Sequence, residues 1–211
     1  MNRDHIWDFW ADKYERLWVQ KYSLGPSRKA IIKKIDSVLQ KVDHYRILDM
    51  GCGTGQLLRE MQERFSEFDI SYLGVDASHG MIKAAGEKSK DIGYVISSVE
   101  DFDEGEGAYD IIVCSHSFPY YKDKAHIVEK LYRLMKKGGL LILVQASGNN
   151  LYDILALSFV KLTTSRAEYL SKKNMVALLE NNFENVEVAT IKERFYMPSI
   201  CMFTAVKGEK S

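Results

Sequence analysis

Three glycines in five residues, Gly51, Gly53 and Gly55, stand between the apolar run "RILDM" and the leucine-bearing segment "QLLREMQERF". Neither a helix nor a strand interior tolerates that density of glycine, so the stretch is a turn, with a buried strand before it and a helix after it. Missing side chains let the backbone bend sharply and let a ligand approach the main chain. The helix that follows presents free N–H groups and the positive end of its dipole. Asp49 lies two residues before the first glycine. An anion there repels a pyrophosphate and attracts a cation such as an ammonium group. The spacing also departs from the dinucleotide pattern GxGxxG, because Gly55 is followed by Gln56, Leu57 and Leu58.

Composition narrows the partners. The 211 residues are 46% hydrophobic and 27% charged, enough for one compact domain with a sizeable core. Lys and Arg balance Asp and Glu at 29 each, so no excess of cations is available to grip phosphate backbones, and nucleic acid is not an expected partner. Cys52, Cys114 and Cys201 lie far apart with no CxxC spacing, and His5, His44, His79 and His126 have no ligand spacing. We therefore expect neither a disulfide framework nor a metal. The opening "MNRDHIWDFW" carries acidic residues where a secretory signal needs an apolar core, and no apolar run approaches about 18 residues. A cytoplasmic chain that does not enter membranes is expected, either monomeric or homodimeric.

Periodicity supplies the architecture. From Asp4 to about Tyr22, Ile6, Trp10, Tyr14, Leu17 and Trp18 recur at helical spacing; "SLGPS" then acts as a breaker, and Ile31, Ile32, Ile35, Val38, Leu39 and Val42 mark a second helix. Beyond these, the short apolar runs "RILDM", "SYLGVD", "YVISS", "YDIIVCS" and "GLLILVQ" alternate with helices at Gly55 to Phe65, Ser78 to Lys88 and Asp123 to Lys136, the last ending in "KKGG". Strands apolar on both faces that alternate with helices form a parallel sheet covered on both sides. A helix at Lys172 to Asn182 and two strands, "NVEVATIKE" and "SICMFTAV", close the chain as an antiparallel hairpin. Residues 147–170 fall outside the alternation and suit a helical insertion over a substrate site. The expected organisation is one domain over 1–211, with an N-terminal helical cover at 1–45, a cofactor-binding core at 46–146, the insertion at 147–170, and the final helix and strands at 171–211.

About twenty residues after the glycine turn, "YLGVDAS" ends the second strand on Asp76, placed for bidentate contact with the two hydroxyls of a ribose. Turn, acid and spacing together, "ILDMGCGTGQLL" with "YLGVDASHGMI", resemble the first two motifs of the class I S-adenosylmethionine-dependent methyltransferases. The resemblance runs from about Arg46 to Val144. It implies a Rossmann-like seven-stranded sheet, mostly parallel, and S-adenosylmethionine as cofactor. Carried over to this chain, it sets Gly51, Cys52, Gly53 and Gly55 against the methionine part, with Asp49 near its ammonium group and Asp76 at the ribose. Ala77 and Met81 then lie beside the adenine, bordered by Ser98, Val99 and Glu100. Ser98 departs from the family, which often has an acid at this point. Ser115 and His116, in "CSHSFPYY", pass beneath the transferred methyl group.

Methyl transfer from a sulfonium needs alignment and exclusion of water more than a base. Where the acceptor must lose a proton, His116 is the candidate base, since its ordinary pKa suits that task near neutral pH. Tyr14 is a candidate for the methionine carboxylate, with Lys21 or Arg28 as a cationic aid. Trp10, Trp18, Tyr120, Tyr121 and Tyr152 are candidate walls of the acceptor site. Such an apolar, tyrosine-bearing cover favours a small organic acceptor, methylated at oxygen, nitrogen or sulfur. Two rival readings are a non-catalytic S-adenosylmethionine-binding or regulatory subunit and, disfavoured by Asp49 and the glycine spacing, an NAD-dependent oxidoreductase.

Overall fold

The computed structural model describes residues 8, 11, 14–16, 20–40, 44–147, 167–191 and 199–208. Strands β1 (Tyr45–Met50), β2 (Ile70–Asp76), β3 (Gly93–Ile96), β4 (Tyr109–Ser115), β5 (Met135–Ala146), β6 (Glu184–Ile191) and β7 (Ile200–Val206) form one sheet in the order β3-β2-β1-β4-β5-β7-β6. The first five are mutually parallel, and β7 runs antiparallel to both β5 and β6. This is the expected Rossmann-like sheet with its antiparallel end.

Alternation explains why the central strands read as continuous apolar runs. In β4, Ile112 and Cys114 point to one face and Ile111 and Val113 to the other, and each pair joins a different buried cluster. Helix α1 (Gly25–Asp36) contributes Ile31 and Ile35 to the second cluster, and α2 (Gln56–Arg64) contributes Leu57, Leu58 and Met61. Fully burying each such side chain stabilises the fold by about 1.5–3 kcal/mol. Helix α3 (His79–Lys88) is capped by Ser78, whose hydroxyl accepts the Met81 N–H; α4 (Lys124–Leu134) is capped by Asp123 and α5 (Lys172–Glu180) by Ser171. Among the described residues, no helix is long and apolar enough to cross a membrane.

The sheet reverses its order between β1 and β4, because β1 is followed by neighbours on one side and β4 lies on the other. The crevice beyond the ends of these two strands is where ligands enter such sheets. Both the glycine turn and "CSHSFPYY" emerge there.

Three expectations need correction. "KKGG" does not end a helix: α4 stops at Leu134, and Lys136, Lys137, Gly138 and Gly139 belong to β5. Lys136 Nζ reaches the Asp110 carboxylate at 2.8 Å, Gly138 has φ +73°, and the β4–β5 register shifts between Tyr109 and Ile111. A left-handed glycine beside cations serves a strand irregularity as well as a helix end. "SLGPS" is likewise no break, since a π-helical turn, Gln20–Leu24, runs directly into α1, and Pro26 falls in the first helical turn, where it is tolerated. The second helix also ends at Asp36, leaving Val38 outside it and 38% exposed, while Val42 lies outside the described residues. The N-terminal helix and the 147–170 insertion fall largely outside the described residues.

Candidate functional site

The glycine turn is shaped from both sides. Gly51 has φ +82°, and its N–H and that of Cys52 donate to the Val75 carbonyl at 2.7 and 3.0 Å, tying the end of β1 to β2. A Cβ on Gly51 would lie 2.3 Å from Cβ of Ser117, so a side chain here collides with the loop after β4. Gly53, at φ +53°, is different: a Cβ there would meet only the Tyr14 ring, at 3.8 Å. Gly55 lies under the ring of Tyr94. Of the three, Gly53 is the one at which an added Cβ would meet no atom of the described residues closer than ordinary contact.

Two acids flank this turn. Asp76 accepts the Gly53 N–H on one oxygen and the Ser78 N–H on the other, both at 2.9 Å. Burial raises its pKa, and these main-chain bonds oppose the rise. Asp49 is 2% exposed, and its Oδ1 has no hydrogen-bond partner among the described residues. Burial, followed by the charge of Asp76, pushes its carboxyl up to about 7. Neither acid has an ion-pair partner among the described residues. Such an oxygen costs free energy unless a donor meets it, and a cation suits a buried carboxylate with a second, half-buried one beside it.

Tyr14 comes from the N-terminal segment and packs with Ala11, Met81 and Ala84. Burial first, then the charges of Tyr120 and Asp76, raise its hydroxyl to about 12. It thus stands where the cleft was expected to close, and Met81 lies buried beneath it. Ala77 is exposed at the mouth of the cleft. On the far side, Val99 is buried, Glu100 is exposed, and the Ser98 hydroxyl donates to the Asp101 carboxylate at 2.7 Å. Cys52 and Cys114 are buried thiols pushed well above their usual pKa by burial, so neither is a reactive thiolate.

Beyond β4, Ser115 is half-buried, and His116 adopts φ +60°, an uncommon conformation for a residue with a side chain. Its N–H donates to the Val144 carbonyl at 2.7 Å, and its Nε2 lies 2.8 Å from Oγ of Ser27. Burial, with Arg28 nearby, lowers the imidazole to about 4, so it is neutral at physiological pH. The Ser117 hydroxyl donates to the Met50 carbonyl at 2.7 Å, and the Tyr121 hydroxyl, 3.1 Å from the same carbonyl, donates to Ser117 Oγ at 3.0 Å, bracing the loop against β1. Tyr120 hydrogen bonds with Tyr169. A groove of about 620 Å³, lined by Lys122, Asp123, Lys124, Glu168, Leu170, Asn174 and Leu178, shares no lining residue with the glycine turn. Trp10, Trp18 and Tyr152 lie outside the described residues.

Several residues escaped sequence reasoning. Asp8 Oδ1 accepts the Ser78 hydroxyl at 2.6 Å and the Gly80 N–H at 2.7 Å at the start of α3. Glu15 Oε1 accepts Thr54 Oγ1 and Arg59 at 2.7 Å and Lys88 at 2.8 Å. Burial alone would raise this carboxyl, yet the bonds from Lys88, Thr54 and Arg59 bring it below its usual value. Lys130, 6% exposed, donates to the Glu100 carbonyl at 2.6 Å and holds the loop after β3. Only the acidic character of "DHIWDFWADKYE" hinted at the first two, and nothing in the sequence pairs them with their partners.

The chain is similar to known proteins. A family profile described as a methyltransferase domain matches residues 48–143. The chain is similar to malonyl-[acyl-carrier protein] O-methyltransferase 1 of Ilyobacter polytropus, at 29% identity over 78% of this chain and 62% of that one. It therefore spans less than two thirds of that relative's length. Among solved structures, the complex of the Haloferax volcanii Trm112 methyltransferase activator with a methyltransferase contains a chain similar at TM-score 0.77 and 15% identity, covering 99% of this chain and 100% of that one. The N-methyltransferase NodS of Bradyrhizobium japonicum, solved with S-adenosyl-L-homocysteine, is similar at TM-score 0.75 and 13% identity over 99% and 100%. At such identities, the solved structures speak for the fold.

Proposed function

This chain belongs to the class I S-adenosylmethionine-dependent methyltransferases, and from that premise we propose that it methylates a small-molecule acceptor at oxygen, nitrogen or sulfur, using S-adenosylmethionine. The observation that carries the reading is a pair of acids, buried Asp49 and half-buried Asp76, beside a glycine turn where an added Cβ at Gly53 would meet only Tyr14, with no cation paired to either acid among the described residues. Their chemistry fits a positively charged nucleoside: Asp49 for an ammonium group, Asp76 for ribose hydroxyls, Gly51, Cys52 and Gly53 along the methionine part, and Ala77, Met81 and Val99 around the base. That cofactor supplies an already activated methyl group.

The chain's own residues then have three tasks. Tyr14 closes the cleft and excludes water, held there by Asp8 and Glu15 on either side. Tyr121 and Ser117 fix the loop after β4 on Met50, so the acceptor meets a rigid wall. His116, neutral and half-buried, receives the acceptor's proton. A base held near 4 suits an acceptor atom that becomes strongly acidic as it is alkylated. We read the chain as one domain, with 1–45 as its cover and 147–170 over the acceptor side. We place the reaction in the cytoplasm, in keeping with the buried thiols of Cys52 and Cys114.

The test is formation of S-adenosylhomocysteine from S-adenosylmethionine against a panel of phenols, amines, carboxylic acids and thiols. Product with one acceptor class supports enzymatic transfer. Saturable cofactor binding without product from any class would favour a non-catalytic binding subunit.

A further inference from the structure

We infer that Ser27 is a positioning residue for His116: it holds the imidazole as the Nε2–H tautomer and leaves Nδ1 as the proton-accepting atom. The inference deepens the proposed function, resting on its reading of His116 as the group that receives the acceptor's proton. Ser27 is fully buried on α1, and its Oγ lies 2.8 Å from both the Ser23 carbonyl and Nε2 of His116. A hydroxyl has one hydrogen to give, and a carbonyl can only accept. Both contacts are hydrogen bonds in only one arrangement: Ser27 donates to Ser23, and Nε2 donates to Ser27. Nδ1 is then the nitrogen with the free lone pair. It has no hydrogen bond among the described residues and is not among the enclosed unpaired atoms, so it is accessible to a proton donor.

Local structure supports this arrangement from both sides. The Ser23 carbonyl belongs to the π-helical turn Gln20–Leu24, the kind of local widening that recurs at functional sites. A Cβ on Gly25 would lie 2.6 Å from the Gln20 carbonyl, so glycine admits the wide turn. On the other side, His116 is clamped by its N–H bond to Val144 and by a left-handed backbone that a residue with a Cβ adopts only at a cost. When the proton moves, the acceptor's bond to hydrogen breaks and Nδ1–H forms. The resulting imidazolium still donates through Nε2 to the same Ser27 oxygen, so no neighbour needs to rearrange.

The test is long-range 1H–15N NMR of the imidazoles in the full-length 15N-labelled chain at neutral pH without acceptor, with His116 identified by the signals lost in His116→Asn. The expected spectrum has a protonated Nε2 and an unprotonated Nδ1. Ser27→Ala should move His116 toward a mixture of tautomers, and Ser27→Thr, which keeps the hydroxyl, should restore the original pattern. In turnover, Ser27→Ala should lower kcat about tenfold, a fraction of a general base's usual contribution, with KM for the cofactor unchanged. A protonated Nδ1 in the parent chain, an unaltered tautomer in Ser27→Ala, or full kcat in that variant would each overturn the inference. Because the NMR measurement reads the resting protein, a chain that shows the expected tautomer yet methylates nothing would sink the functional reading and leave the tautomer assignment standing.

Discussion

Glu15 accepts a hydrogen bond at 2.7 Å from Thr54, a residue inside the glycine turn itself. The same carboxylate oxygen takes Arg59 and Lys88, so one acid from the N-terminal segment joins the turn, α2 and α3. Glu15→Gln keeps the shape and removes the charge. Since the side chain is 26% exposed, the loss should be modest, about 1 kcal/mol. Cofactor affinity should fall roughly fivefold, and limited proteolysis should cut the N-terminal segment sooner; an unchanged dissociation constant and digestion pattern would mean that the contact does not hold the cover.

The two outer faces of the turn should respond differently to the same substitution. Gly51→Ala drives a methyl group to 2.3 Å from Ser117 at φ +82°, so the folded state should lose several kcal/mol and its Tm should drop well below that of Gly53→Ala. Gly53→Ala brings a methyl group only into ordinary contact with the Tyr14 ring, at 3.8 Å, and should cost about 1–2 kcal/mol of backbone strain, while cofactor affinity falls by an order of magnitude or more. Thermal melts with and without cofactor separate the two. Equal losses of stability would contradict the assignment of Gly53 to the ligand face.

Legibility followed local pattern. The alternation in "YDIIVCS" and the acids at or next to the ends of "RILDM" and "SYLGVD" lie within single elements, where period and spacing report directly on sheet face and strand end. Ser27, Glu15 and Asp8 were not legible in this way, since their partners lie 89, 39 and 70 residues away and depend on how the cover folds back over the sheet. "KKGG" misled for a physical reason: φ +73° at Gly138 suits a strand irregularity around Asp110 as well as it suits a helix end.

Asp76 performs two tasks, which Asp76→Asn and Asp76→Ala should resolve. Alanine strips the Gly53 and Ser78 N–H groups of their acceptor, so it should lower Tm as well as weaken cofactor binding by about 1–3 kcal/mol. Asparagine keeps one acceptor oxygen and should retain more stability than affinity. Cofactor binding unaffected by either variant would remove Asp76 from the ribose position.

Asp49 sets a pH dependence with a definite sign. Its carboxyl titrates near 7 in the free chain, and a cationic ligand favours the ionised form. Binding should therefore release a proton near neutrality. Affinity should be level above about pH 7 and fall as pH drops below it, approaching tenfold per unit. Asp49→Asn should bind weakly and flatten the profile. Calorimetry in buffers of different ionisation enthalpy counts the released proton directly, and affinity constant between pH 5 and 8 in the parent chain would contradict the placement of the ammonium group.

The most direct measurement of the central claim is calorimetric titration of the purified chain with S-adenosylmethionine, S-adenosylhomocysteine and NAD. The paired acids beside the glycine turn call for saturable, one-to-one binding of the first two and none of NAD. Binding of NAD alone, or of none of the three, would contradict the account.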